Sequence, residues 1–578
     1  MLKEVNKDFI ENILDKMTLE QKVGGLFVVD FMGSIVTPYT VKMIREYHVA
    51  GLRVDTSTRA KMSYANDTND EKLKKMFMEL EIAPTGLCSD ITGGKSAACT
   101  PGQYAATLNT LRDIAMERPL GIPVHTVLDQ EGNGSENYAL NNTRLFPCPM
   151  GLAATNDPEL VYKASDAIAR QLHAVGINWL HSPTVDVNVN HNNFEIGTRA
   201  YSDQHELVSR YALETLRAFT ANKIVATGKH FPGRGDSALD AHIECPTINA
   251  SKEDMYGIHL QPYIELIKEG LPAIMIAHTI FPALDDSGTP STVSKKIVTD
   301  LLRKELGFDG VITTDNMLMG GIISKYGIIE SCIGAIVAGQ DLLLLRSQTP
   351  LVDKVYHAVL EAAKAGRITT ERLNDANRQV LSLKYRYGLF ENGGKVETEN
   401  AFVPFEDENL VLIEKEVARK ATLVRDVNGF LPLSKDAKIL LVEQVHPTQK
   451  LLNNYQCHPS VLWEKMLLEA PNVVSVEITG DDEKNQQRVI RRLNEGDVIV
   501  ATNYVERRSN KDISAFIRRL MKTGKPVIVV TNCPFEFGSP ADFPAVINIF
   551  SGNHESLHAA AEIIFGKLKA QGVLPLRK

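Results

Sequence analysis

Short apolar blocks alternate with stretches of helical period along the first two thirds of the chain. The blocks cover residues 26–31, 50–54, 124–128, 177–180, 224–226, 273–277, 311–314 and 341–345. Eight such candidate strands, with helical patterns between them, predict a (β/α)8 TIM-like barrel rather than an open sheet. Ahead of the first block, Ile10, Ile13, Leu14 and Met17 form one stripe, which predicts a helix over 9–22 with Thr18 capping the next turn. In such a barrel chemistry collects at the carboxyl ends of the strands, and Asp129, His230, His278 and Asp315 fall there.

The alternation resumes after a break. Helical patterns run over 351–387, and residues 390–409 are polar with Gly and Pro, the composition of a linker. Apolar runs then return at 439–442, 474–478, 498–502, 527–531 and 545–550. They predict a smaller α/β sandwich domain whose sheet is largely parallel, with about five strands. The expected division is a catalytic barrel over 1–389, a linker over 390–409 and a C-terminal α/β domain over 410–578.

One stretch exceeds what a strand-to-strand crossover needs, so 55–103 is expected to be an insertion. It holds a charged helical stretch, 70–81, and a Gly- and Cys-bearing loop, 85–100, ahead of another helical pattern at 104–116. A role over the barrel mouth, a role at a subunit contact and a surface excursion without function all stay open.

Composition narrows the classes of function. A length of 578 residues implies two or three domains with ample core. The balance of 63 Lys+Arg against 71 Asp+Glu, net charge −8, argues against a nucleic-acid or anionic-membrane partner. Seven scattered cysteines show no paired metal spacing and are expected to be reduced thiols. Residues 1–24 carry charges throughout, and no run of about 18 apolar residues appears. The expectation is a cytoplasmic protein without a membrane span.

Candidate chemistry is densest in KHFPGRGDSALDAH, residues 229–242. Lys229 and His230 end a strand, and Pro232, Gly233 and Gly235 then let the backbone approach a ligand. Asp240 precedes His242 by two residues. A carboxylate so placed accepts the imidazole N–H, fixes its tautomer and stabilises its cation, which fits His242 for general acid and base work. Asp315, in the sequence TTDN at 313–316, is an acceptor-only carboxylate suited to attack an electrophilic carbon.

Each of these residues has a plainer alternative: a helix N-cap for Asp315 and for Asp129, a hydrogen-bonded loop histidine for His242, strand-end polarity for Lys229 and His230, and a surface pair with Asp203 for Arg199. A metal site of His230, Asp240 and His242 matches no zinc spacing. No cofactor is expected, because no G-x-G-x-x-G or phosphate loop follows the strands of the second domain.

These stretches, with Leu128-Asp129-Gln130-Glu131-Gly132 and Ile196-Gly197-Thr198-Arg199-Ala200-Tyr201, resemble glycoside hydrolase family 3, and within it the bacterial β-N-acetylhexosaminidases. The resemblance is strong over residues 19–389. It implies a metal-independent retaining exo-enzyme that releases β-linked GlcNAc, from peptidoglycan fragments, by double displacement through a glycosyl-Asp intermediate. It makes Asp315 the nucleophile, His242 the acid/base and Asp240 its partner, and it puts Asp129, Arg199, Lys229 and His230 on the sugar in the −1 subsite. Imidazole suits its post, since its unperturbed pKa of about 6.5 is already near neutrality. Asp186 matches a further motif position and is expected to be structural.

The chain departs from the family at two points. Gly132-Asn133-Gly134-Ser135-Glu136-Asn137 places Asn137 where the family has an Arg that touches substrate. The sugar pocket is therefore expected to lack one cation unless Arg144 or a residue of the insertion replaces it. Arg234 stands where the family often has His. A phosphorylase using the same residues, a β-glucosidase or other β-hexosidase, and a non-catalytic sugar-binding protein remain alternatives.

Overall fold

The computed structural model describes residues 2–56, 99–133, 135, 137–139, 143–444, 461–505 and 513–577. The stretch 70–81 and most of the loop 85–100 lie outside the described residues.

Strands β1 (Phe27–Met32), β2 (Gly51–Asp55), β3 (His125–Leu128), β4 (Trp179–Leu180), β5 (Val225–Phe231), β6 (Ala273–Ile276), β7 (Val311–Asn316) and β8 (Leu342–Leu345) close into an all-parallel barrel, with β8 pairing β1. Side chains alternate between two cores, as strand geometry requires. Val28, Val127, Trp179, Val225, Met275, Val311 and Leu344 fill one core together with Val380, Leu383 and Tyr387 of the last barrel helix. Phe27, Val29, Leu52, Leu128, Ile274, Ile312 and Leu343 belong to the other, which the surrounding helices share.

The local differences from the sequence pattern have local causes. The helix expected over 9–22 is two, Lys7–Lys16 and Leu19–Gly24, because Thr18 and Gln21 form a reciprocal capping box that starts the second. The pattern at 351–387 also divides, into Leu351–Lys364 and Thr370–Arg386, with Gly366 at φ 75° between them. Strand β5 runs beyond the apolar block 224–226 and carries Lys229 and His230 near its carboxyl end, as expected, and both find partners in the interior.

Gly320–Ala338, the helix after β7, is long and apolar enough to cross a membrane, although the sequence reading expected no such segment. It is interrupted at Gly327 (φ 70°) and packs against the 351–364 helix in the barrel wall.

The expected linker hugs the barrel. Asn109 donates to the Val396 carbonyl at 2.8 Å, and Lys395 pairs with Asp113 at 2.8 Å. Helix Glu408–Ala421 then lies between the two domains, with Lys420 on Asp157 at 3.0 Å and Arg419 on Glu562 at 2.6 Å. Among the described residues the second sheet has six strands where about five were expected: β9 (Leu423–Asp426), β10 (Ile439–Gln444), β11 (Val473–Ile478), β12 (Val498–Asn503), β13 (Val527–Thr531) and β14 (Ala545–Asn548), in the order β11-β10-β12-β13-β14-β9. The extra strand, β9, is an antiparallel edge. Its sequence, LVRD, is short and half polar, so no apolar run marks it.

Glu414 of the interdomain helix accepts from the Leu145 backbone N–H at 3.1 Å and stands 3.3 Å from Arg144. Burial pushes its carboxyl up to about 7 from an ordinary 4.5. The raised value means that the stability it contributes is full below about pH 4.5 and is lost as pH rises through about 7. Glu414→Gln, which stays neutral, is therefore expected to lose less stability than wild type between about pH 5 and pH 8, a difference of roughly 1–3 kcal/mol that appears as a smaller fall in melting temperature. Identical pH dependence in thermal melts of the two proteins would refute this.

Candidate active site

The register that turns Val225 and Val311 into the barrel turns Lys229 and Asp315, four residues on, the same way. Asp129 and Arg346 follow from β3 and β8 by the same alternation. Charged groups so withdrawn from water need partners, and the mouth of the barrel supplies them. Lys229 Nζ donates to Asp129 at 2.9 Å and to Glu131 at 2.6 Å. Arg199 takes both oxygens of Glu131, through Nε at 2.7 Å and Nη2 at 3.1 Å. The surface pair between Arg199 and Asp203 is thereby overturned; Asp203 faces His191 instead.

Arg53, wholly buried on β2, donates to Asp129 at 2.7 Å. Burial opposes the Asp129 charge, but Lys229 and Arg53 outweigh it and hold the carboxyl well below the usual carboxylate range. Asp129 thus presents an ionised, acceptor-only carboxylate to the cleft.

His230 Nδ1 lies 2.8 Å from Asp186, which also accepts the Arg234 backbone N–H at 2.6 Å. Asp186 therefore orients His230, the structural role expected of it; burial pushes its carboxyl up to about 6. With Nδ1 so engaged, Nε2 of His230 turns toward Asp315 at 3.9 Å.

Asp315 is the carboxylate most open to the cleft after Asp129, with 14 % of its side chain exposed. Burial raises its pKa, and His278, Arg234 and His242 together more than reverse that, so the net shift is downward. His278 itself is depressed by burial to about 4 and bridges Thr292 and the Asn316 carbonyl. At neutral pH the permanent cation of Arg234, 3.6 Å from Asp315, is therefore the dependable source of that lowering.

On the facing loop Asp240 stands 2.6 Å from His242 Nδ1 and also accepts the His242 backbone N–H at 2.8 Å. The N–H at Nδ1 is thus committed to a carboxylate, leaving Nε2 as the nitrogen that exchanges protons. The loop is seated on the start of the helix after β7: Gly320 N–H donates to the His242 carbonyl at 2.8 Å and Gly321 N–H to the Ala241 carbonyl at 2.9 Å. A Cβ on Gly320 would fall 2.0 Å from the Ile243 oxygen, so only glycine allows this approach.

Asp129, Arg199, Lys229, His230, His242 and Asp315 all line one cleft of about 510 Å³, with Asp240 behind His242. His278 does not reach it. Arg144 does not replace the missing cation, because it turns away to Glu414. Asn137 is buried and knits the barrel interior: Nδ2 donates to Asp55 at 2.9 Å, and Oδ1 accepts from Arg53 at 2.7 Å and from the Asp129 N–H at 2.9 Å. Besides Arg199 and Lys229, the cation that lines the cleft among the described residues is Arg346, 3.5 Å from Asp55; the insertion, the other expected source, lies mostly outside them.

Sequence reasoning missed Arg346, Arg53 and Glu195, and gave Glu131 no role. Arg53 lies on β2 and Arg346 just past the end of β8, both at inward positions, and the alternation would have found them. Glu195, in a loop, carried no such signal. Glu195, Asp240 and His242 bring three ligand-type atoms within 4.8 Å of one another. The Asp240–His242 hydrogen bond and the Arg234 guanidinium on Glu195 account for that closeness.

Two substitutions probe the altered pocket. Asn137→Arg, which would restore the family's cation, is expected to lower the melting temperature by several degrees, because it sets a second guanidinium against buried Arg53. Arg346→Ala is expected to raise KM for an aryl sugar substrate about ten-fold while the protein stays folded. An unchanged KM would remove Arg346 from substrate binding.

The model for the glycosyl hydrolase family 3 N-terminal domain matches residues 18–383. A β-hexosaminidase A of Pseudoalteromonas piscicida is 25 % identical over 529 residues, covering 82 % of this chain and 86 % of that protein. A β-hexosaminidase of Tolumonas auensis is 34 % identical over 244 residues, covering 42 % of this chain and 70 % of its own length. Among solved structures, a family 3 β-N-acetylglucosaminidase from Paenibacillus sp. superposes with a TM-score of 0.82 at 26 % identity, covering 97 % of this chain and 99 % of that one. With the match spanning the barrel and the cleft residues, this chain belongs to glycoside hydrolase family 3.

Proposed function

We propose that the protein is a retaining exo-β-N-acetylhexosaminidase that releases β-linked GlcNAc from small glycosides. The observation that carries this reading is the presence, in one cleft, of an ionised Asp315 and a histidine whose Nδ1 is held by Asp240 at 2.6 Å. Asp315 attacks the anomeric carbon while His242 Nε2 passes its proton to the departing oxygen, leaving a glycosyl ester on Asp315. The now neutral imidazole then takes a proton from water as water attacks the same carbon, and both groups return to their starting states.

Asp129 accepts from sugar hydroxyls, Lys229 and Arg199 donate to them, and His230 offers its Nε2 beside them. The ion pairs with Glu131 and Asp129 fix those donors before the sugar arrives, so little ordering remains to be done on binding. The natural substrate that the family resemblance supports is a GlcNAc-bearing cell-wall fragment.

Turnover of 4-nitrophenyl β-GlcNAc and β-glucoside, with and without phosphate, tests this reading. Wild type is expected to prefer the GlcNAc compound. Asp315→Asn is expected to lose about 10³-fold or more in kcat, and His242→Ala about 10²-fold or more. Phosphate stimulation with formation of a sugar phosphate would make the acceptor phosphate instead of water. Activity surviving in Asp315→Asn would overturn the nucleophile assignment.

A further inference from the structure

Arg234 is fully buried, yet it sits between the two reacting groups. Its Nη2 bonds one oxygen of Glu195, and its Nη1, with no hydrogen-bond partner among the described residues, lies 3.6 Å from Asp315 Oδ2. The second Glu195 oxygen lies 3.2 Å from His242 Nδ1, a charge contact, and accepts no hydrogen bond among the described residues. Nucleophile, guanidinium, carboxylate and imidazole thus form one continuous chain across the barrel mouth. Neither inner member lines the sugar cleft.

We propose that Glu195 and Arg234 are positioning residues that act as a bridge, Glu195 steadying and charging His242 for proton donation and Arg234 keeping Asp315 ready for attack. This rests on the roles given above to Asp315 and His242.

Scaffolding alone does not explain the pair. The two loops are already tied by Asn193, whose Nδ2 donates to the Arg234 carbonyl at 2.9 Å and whose Oδ1 accepts from the Glu195 and Ile196 N–H groups at 3.1 and 2.9 Å. Asp186 holds the Arg234 backbone as well. A buried ion pair is, besides, a poor source of stability compared with apolar packing of the same volume. What it supplies here is fixed charge where charge changes during the reaction.

Imidazolium forms and disappears at His242, facing Asp240 and Glu195 at 2.6 and 3.2 Å. Carboxylate is consumed and regenerated at Asp315, facing Arg234 at 3.6 Å and His230 at 3.9 Å, with His242, His278 and His181 farther off. Removing the Glu195 charge weakens support for the imidazolium, so His242 loses its proton at lower pH. Removing the Arg234 charge weakens support for the Asp315 carboxylate, so Asp315 ionises at higher pH. It also leaves Glu195 unbalanced beside His242, which then holds its proton to higher pH.

The test is the pH profile of kcat/KM for Glu195→Gln, Arg234→Gln and the double variant, on phenyl β-GlcNAc and 2,4-dinitrophenyl β-GlcNAc. Glu195→Gln is expected to move the alkaline limb down. It should slow the phenyl compound about ten-fold or more and the dinitrophenyl compound, whose leaving group needs little acid help, less than about three-fold. Arg234→Gln is expected to move both limbs up. The double variant should bring the limbs back toward wild type.

Glu195→Gln decides the matter even if Arg234→Gln fails to fold. Equal slowing of both substrates with unmoved limbs would mean scaffolding, and wild-type behaviour would mean no role; either result overturns the bridge. Asp315→Asn and His242→Ala run alongside. If Asp315→Asn keeps activity, the assignment of the reacting groups has failed; if it is dead while the Glu195→Gln limbs stay put, the bridge alone has failed.

Discussion

A single buried carboxylate, Glu131, shared between Lys229 and Arg199, sets the layout of the barrel mouth. Neither cation can leave water without it, and neither can shift without leaving it undercompensated. Asp129 is drawn into the same balance by Lys229 on one side and Arg53 on the other. The donors and acceptors that line the cleft are therefore fixed by one another. Catalysis by preorganised charge has this as its structural requirement.

Much of this was legible in the sequence, for identifiable reasons. Eight apolar blocks located eight barrel strands because parallel strands covered on both faces must be apolar on both. Asp129, Lys229 and Asp315 were legible as strand-end residues because polarity abruptly follows apolar runs there. Asp240 and His242 were legible through spacing alone, since a two-residue interval lets the carboxylate reach the ring of its own loop.

What escaped was non-local. Glu195 pairs with Arg234 across two loops, and nothing in either loop names the other. Arg144 was a reasonable substitute cation by proximity in the chain, but its partner, Glu414, lies far along the sequence on the helix between the domains. The edge strand β9 escaped because pairing with β14, not its own apolarity, makes it a strand.

The second domain supports the site, and none of its described residues lines the cleft. Asn532 donates to Asn133 of the loop after β3 at 3.0 Å. Phe537 and Phe535 pack on Phe194 and His191 of the loop after β4, with ring centroids 4.4 and 5.3 Å apart. Near the C-terminus, the Pro575 carbonyl accepts from Ser202, and the Arg577 N–H donates to Asp203. The loop carrying Glu195 and Arg199 is thus pressed between barrel and sandwich. This is how loop residues come to be held as firmly as residues on strands.

The seat formed by Gly320 and Gly321 joins things that an enzyme could have kept separate. Asp315 ends the strand that leads into this helix, and the carbonyls of Ala241 and His242 rest on the helix's first amides. His242 and Asp315 therefore share one mechanical joint. A displacement of that joint carries both together, so their mutual geometry survives small motions of the barrel rim that would scatter groups mounted on independent loops.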